Sequence, residues 1–170
     1  MKHYFYEILI LFFLFSLTNT ATATENEPDH GQSSVKLYSY PTICPSSKDY
    51  KVRINGEEAF VYYSSAGSFV ALEGEGKIKV EIQTQFPAES IEVFPKRLGI
   101  EPEVKVHSIQ FEMDAPGKVL CEIPEMEQLF IYADSLDPEK PDPEDENVHY
   151  FKEGQVYEVG LLKLKDNQTL

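Results

Sequence analysis

The stretch YKVRINGEEAFVYY, residues 50–63, decides the fold. Tyr50, Val52 and Ile54 alternate with Lys51 and Arg53, which puts the apolar three on one face of a strand. Asn55-Gly56 follows, a dipeptide that accepts the positive φ angles of a tight turn. Ala59 through Tyr63 then reads as the return strand, so this stretch predicts a hairpin.

The same pattern runs outward in both directions. Upstream, Val35 through Tyr40 alternates until Pro41 ends it. Downstream, Ser68 through Leu72 is a short strand, and Gly74-Glu75-Gly76 reads as a turn into Lys77 through Gln83. There Ile78, Val80 and Ile82 face inward while Lys77, Lys79 and Glu81 face water. Further strands are predicted at Ile91–Phe94, Val104–Val106, Ile109–Met113 and Val119–Ile123, the last after the turn Asp114-Ala115-Pro116-Gly117. The continuous apolar run Leu129–Tyr132 fits a central strand, and Val148–Phe151 and Val156–Leu164 complete the set. About ten short strands with regular turn signals predict an all-β domain, an antiparallel β-sandwich.

Both ends differ in composition from this body. Met1–His3 and the apolar run Ile8–Leu17 precede the small residues Ala21-Thr22-Ala23, the pattern of a signal peptide (residues 1–23) cleaved after Ala23. The expected destination is the periplasm or the extracellular space. Residues 24–34 are polar and aperiodic, a disordered leader. The domain is expected to span 35–165, with 166–170 as the start of a further C-terminal domain. The net charge of −14, from 15 basic and 29 acidic residues, disfavours nucleic acid and anionic membranes, because phosphate contacts need clustered Lys and Arg.

Chemistry-bearing patterns are sparse. No Gly-x-Ser-x-Gly elbow or phosphate loop occurs, and His3, His30, His107 and His149 lack ligand spacing, so no catalytic, cofactor or metal residue is assigned. Cys44 and Cys121 are disulfide candidates in an oxidising compartment, although Cys121 also suits a buried strand face beside Val119 and Ile123. The loop Asp134–Asn147 is rich in carboxylates and carries three prolines. A solvated loop is favoured over a calcium site, because the prolines interrupt any EF-hand spacing. The neighbours Tyr62 and Tyr63 point to opposite strand faces and are candidates for sugar or partner contact.

A longer pattern is carried by Pro95, Leu98-Gly99-Ile100, Ile109-Gln110-Phe111, Pro116-Gly117-Lys118 and the Pro-rich acidic loop. It closes on Tyr150-Phe151, Gly154, Gly160, Leu164 and Asn167-Gln168-Thr169. In order and spacing this resembles the N-terminal domain of bacterial secreted glycoside hydrolases, the polygalacturonase-like enzymes of family 28 and the dextranase-like enzymes of family 49. Gln155 stands where such domains commonly have a histidine. The resemblance covers residues 35–170 and implies a sandwich preceding a parallel β-helix that holds the active site. None of the family's Asn-Thr-Asp, Asp-Asp or Gly-His-Gly catalytic motifs is present. It therefore implies a non-catalytic accessory domain, whose partner is a C-terminal β-helix catalytic domain and whose parent enzyme acts on plant or microbial polysaccharide. Leu161, Leu162 and Leu164 become candidates for the domain junction. The competing expectation is a stand-alone exported module that binds carbohydrate or protein.

Overall fold

The computed structural model describes residues 33–170. The expected signal peptide and most of the polar leader lie outside the described residues. Ten strands follow in order: β1 (Ser34–Leu37), β2 (Tyr50–Ile54), β3 (Glu57–Ala59), β4 (Tyr62–Ser64), β5 (Gly67–Thr84), β6 (Glu92–Phe94), β7 (Glu103–Lys105), β8 (Ser108–Ala115), β9 (Gly117–Glu122) and β10 (Leu129–Asp134). Among the described residues the one helical element is a 3-10 turn at Lys96–Leu98.

The predicted hairpin forms. Tyr50, Val52 and Ile54 are buried while Lys51 and Arg53 are exposed. Asn55 and Gly56 both hold positive φ, 50° and 85°, as the two central residues of a tight turn require. Asn55 also reaches sideways: its Oδ1 accepts the Lys79 N–H at 2.8 Å, and its own N–H donates to Lys79 O at 2.9 Å. The return strand, however, divides. β3 pairs with β2, whereas β4 pairs with the beginning of β5.

The expected turn at Gly74-Glu75-Gly76 is not a turn. β5 runs unbroken for 18 residues. Its first half pairs with β4, β1 and β10, and its second half with β2 and β8. The glycines let the strand bend without reversing it. Gly76 takes φ 81°, and a Cβ at Gly74 would sit 3.2 Å from Ala115 Cβ. Side chains at Val70, Leu72, Ile78, Val80 and Ile82 stay buried throughout, so one strand face supplies both halves of the core.

The expectation of a purely antiparallel sandwich is corrected at two points. β10 pairs with β5 in parallel, Leu129 opposite Ser68 through Asp134 opposite Glu73, so the sheet is mixed. The hydrogen-bonded strands form a single ten-stranded sheet whose two groups share β5, so they do not separate into two independent sheets. A two-residue hairpin joins only antiparallel neighbours; here the residues between β5 and β10 build β6 to β9 before the chain returns in parallel.

The C-terminal expectations also fail. Val148–Phe151 and Val156–Leu164 form no strand; residues 135–170 contribute only an isolated bridge between Val148 and Thr169. Their alternation is that of a strand, but no partner edge accepts it. The core proper is one cluster from both strand groups, with Val52, Ile54, Val80, Ile82 and Ile109 on one side of β5's bend and Val70, Leu72, Val119, Leu129 and Ile131 on the other. Full burial of each such side chain contributes roughly 1.5–3 kcal/mol, and these residues hold the loops that follow in place.

Candidate functional site

A cleft of about 690 Å³ opens beside the loop that joins β1 to β2, lined by that loop, by Tyr63 of β4 and by Glu127 of the turn before β10. The loop is fixed by its backbone. Ser47 N–H donates to Val61 O at 2.8 Å and Tyr63 N–H to Pro45 O at 2.9 Å, with Ser46 bridged to Tyr62. A polar network underlies the cleft. Ser68, fully buried, donates its hydroxyl to Ser47 Oγ at 2.9 Å and lies 3.4 Å from Glu127 Oε2. The Tyr50 hydroxyl donates to the Glu127 carbonyl; burial, aided by neighbouring acidic groups, pushes its pKa above the ordinary tyrosine value. A side chain at Gly67 would press on Gln128 O at 2.8 Å, and its φ of 130° suits glycine. Tyr63, Asp49, Lys48 and Glu127 are thus set around a preformed space. Ser68 is sealed from solvent and has no histidine partner in its hydrogen bonds, so the group does not make a nucleophile with its base.

The two tyrosines singled out from sequence separate as expected of strand neighbours. Tyr63 is exposed, 40% of its surface open to solvent, while Tyr62 is half-buried opposite Phe69. Tyr62 begins a row the sequence reading missed. Phe69, Phe130, Leu120 and Phe94 lie in register on successive strands β5, β10, β9 and β6. The Phe69 and Phe130 rings are stacked, with centroids 4.8 Å apart and planes 9° from parallel. Rings stacked at strand spacing cover each other's faces, so this pair is no platform for a flat ligand. The odd-numbered positions of β5 and even-numbered positions of β10 hold these rings, and the signal was present as residues alternating with the buried set.

A second cluster gathers around Glu73, only 9% exposed. Tyr38 donates its hydroxyl to Glu73 Oε1 at 3.1 Å, and Lys140 Nζ donates to both carboxylate oxygens. Lys36 stands 3.8 Å away and also reaches Glu153. Burial by itself would raise the Glu73 pKa, but the hydrogen bonds from Lys140 and Tyr38 hold it below the usual carboxylate value. Burial, then the carboxylate, push the Tyr38 hydroxyl up to about 12. This cluster clasps the acidic loop to the sheet.

The loop's carboxylates serve its own turns. Asp137, Asp142 and Asp145 each accept the N–H two residues on, from Glu139, Glu144 and Asn147. Among the described residues no group of three His, Cys, Asp or Glu side chains is placed to hold a metal. Cys44 and Cys121 are both free thiols. Cys121 is buried in the core opposite Leu129 and Val93, and burial raises its pKa to about 12. The junction candidates Leu161, Leu162 and Leu164 are all exposed, Leu161 by 83%, and Val156 and Val159 are open as well.

No protein family matches the chain, and no curated protein matches it. Among solved structures, Dex49A from Penicillium minioluteum is similar, with a TM-score of 0.49 and 12% identity over 68% of this chain and 34% of that one. The chain spans about a third of that protein's length.

Proposed function

We propose that this chain is a non-catalytic accessory domain of a secreted, polysaccharide-degrading glycoside hydrolase, and that its C-terminal segment is the face it offers to a catalytic domain. The observation that carries this reading is the run Val156–Leu164. Five aliphatic side chains and Tyr157 stand exposed there on a segment that joins no strand. A run of exposed apolar side chains of this kind suits a site of contact with another body. The order of marks from Pro95 to Thr169, which resembles the N-terminal domains of such hydrolases, supports the same reading.

The test is to read the transcript past the Leu170 codon and to assay the chain itself on polygalacturonate and on dextran. The reading expects an open frame with short strand repeats bearing Asn-Thr-Asp and Gly-His-Gly, and no release of reducing ends by the chain alone. A stop codon with no such repeats, or hydrolysis by the isolated chain, overturns it.

A further inference from the structure

We infer that the cleft beside Tyr63 is a binding site for a neutral carbohydrate. The inference stands apart from the accessory-domain reading, which uses none of these residues. A sugar ring offers one face of C–H bonds and a rim of hydroxyls, and the lining matches both. Ile43, Pro45 and the Tyr63 ring supply apolar surface, while Lys48, Asp49 and Glu127 supply a donor and two carboxylate acceptors. A volume of about 690 Å³ is in the range of small-molecule sites.

Three further observations narrow the ligand. First, the Tyr63 ring is free. Among the described residues no aromatic ring stacks on it and no lysine covers it, unlike Phe69, Phe130 and Tyr132. Its face is open to a sugar. Second, the site is organised before any ligand arrives. The buried Ser68 lies between Ser47 Oγ and the Glu127 carboxylate, and Ser47 Oγ accepts the Asp49 N–H at 3.3 Å. Ordering costs are thereby lowered, because the acceptors need not be fixed on binding. Third, the charge excludes acidic glycans. Two carboxylates face one ammonium in the lining, within a chain of net charge −14, so a uronate polymer is repelled both locally and at long range.

The test is a backbone-amide NMR titration of the protein with isomaltotetraose, cellotetraose and, as the acidic control, tetragalacturonate. A neutral oligosaccharide is expected to give saturable shifts confined to Thr42–Asp49, Tyr63 and Glu127, with a dissociation constant of ~1 mM or tighter and no response to tetragalacturonate. Tyr63→Ala and Glu127→Gln are each expected to weaken binding about tenfold, since a hydrogen bond to a charged acceptor is lost in one and the stacking face in the other. Tyr63 is exposed, so its removal leaves the remaining spectrum in place. The inference is overturned by no saturable shift from either neutral probe at ~10 mM. It is equally overturned by tetragalacturonate binding as well as the neutral probes, or by binding that both variants retain unchanged.

Discussion

Lys140 Nζ holds both carboxylate oxygens of Glu73, at 3.0 and 3.1 Å, across 67 residues of sequence. The two residues come from unlike places, Glu73 from the middle of β5 and Lys140 from the proline-rich acidic loop. Their pairing is the one charge-assisted link that ties residue 140 to the sheet, and it stands beside the Tyr38 hydroxyl.

Removing either end should therefore free the loop without unfolding the domain. In Glu73→Gln and Lys140→Met, amides of residues 135–147 are expected to exchange faster, while the urea midpoint of the whole domain moves little, since Lys140 is half open to solvent. Hydrogen exchange read by mass spectrometry measures the first and denaturant unfolding the second. Unchanged exchange in both variants would show that the prolines alone hold the loop.

The clasp has a defined pH window. Glu73 has a depressed pKa, so its contribution is present above the unfolded value of 4.5 and is lost as pH falls through the lower folded value. Tyr38 is raised from 10.0 to about 12, so its contribution is full below 10.0 and is lost as pH climbs through about 12. Lys140, held up by its hydrogen bond to Glu73, follows the same alkaline direction. Loop protection, taken relative to the intrinsic exchange rate at each pH, should stay flat between these limits and fall outside them. In Glu73→Gln the absorbance titration of Tyr38 should move down toward the ordinary tyrosine value, and an unmoved titration would contradict the assigned hydrogen bond.

The two glycines of opposite surroundings should respond unequally to alanine. Gly56 has φ 85° with open space where a Cβ would stand, whereas Gly67 has φ 130° and a Cβ there would stand 2.8 Å from Gln128 O. Gly56→Ala is expected to cost about 1 kcal/mol from backbone strain alone. Gly67→Ala adds a steric clash to its strain and should cost about 2–4 kcal/mol. Urea midpoints compare them, and equal losses would mean the β5–β10 approach is more yielding than its distances indicate.

Leucine content is a poor guide to what stabilises this chain. Ile131→Ala, fully buried, should cost about 2–5 kcal/mol. Leu161→Ser, almost fully exposed, should stay within about 0.5 kcal/mol. A comparable loss at Leu161 would place that side chain in a contact the isolated domain does not show.

The hairpin was legible because its determinants are local: alternation in Tyr50–Ile54 and two residues at Asn55-Gly56 that tolerate positive φ. β5 was not, because Gly74 and Gly76 carry the same local signal whether the backbone reverses or bends, and the difference lies in whether Ala115 and Ser34 pack against them. The parallel pairing of Leu129–Asp134 with Ser68–Glu73 was equally hidden, since nothing near either segment states the direction of a partner about 60 residues away. Val156–Leu164 shows the converse: alternation describes a face, but a strand also needs an edge to pair with. Of the cleft, only Tyr63 and Cys44 were singled out from sequence, Cys44 for a disulfide rather than for this site. Glu127 reaches it through Ser68, a contact that exists only once β5 is in place, while Asp49 is set by the local contact with Ser47.

That continuous β5 has a consequence for how the protein is made. Both edges of one strand are claimed by segments from Ser34 to Asp134, so neither strand group can finish before the other has begun. Pairings this distant carry a loop-closure cost before any reward, which sets folding on a scale of about milliseconds to seconds rather than microseconds. A chain emerging from a ribosome holds Ser68–Glu73 without its β10 partner until Asp134 has been synthesised. Through that interval the first half of β5 is an open edge carrying Phe69, Val70 and Leu72, and a second nascent copy offers the nearest substitute. Slow translation or crowding of β5 should show itself as lost yield, long before it shows as lost stability of the finished fold.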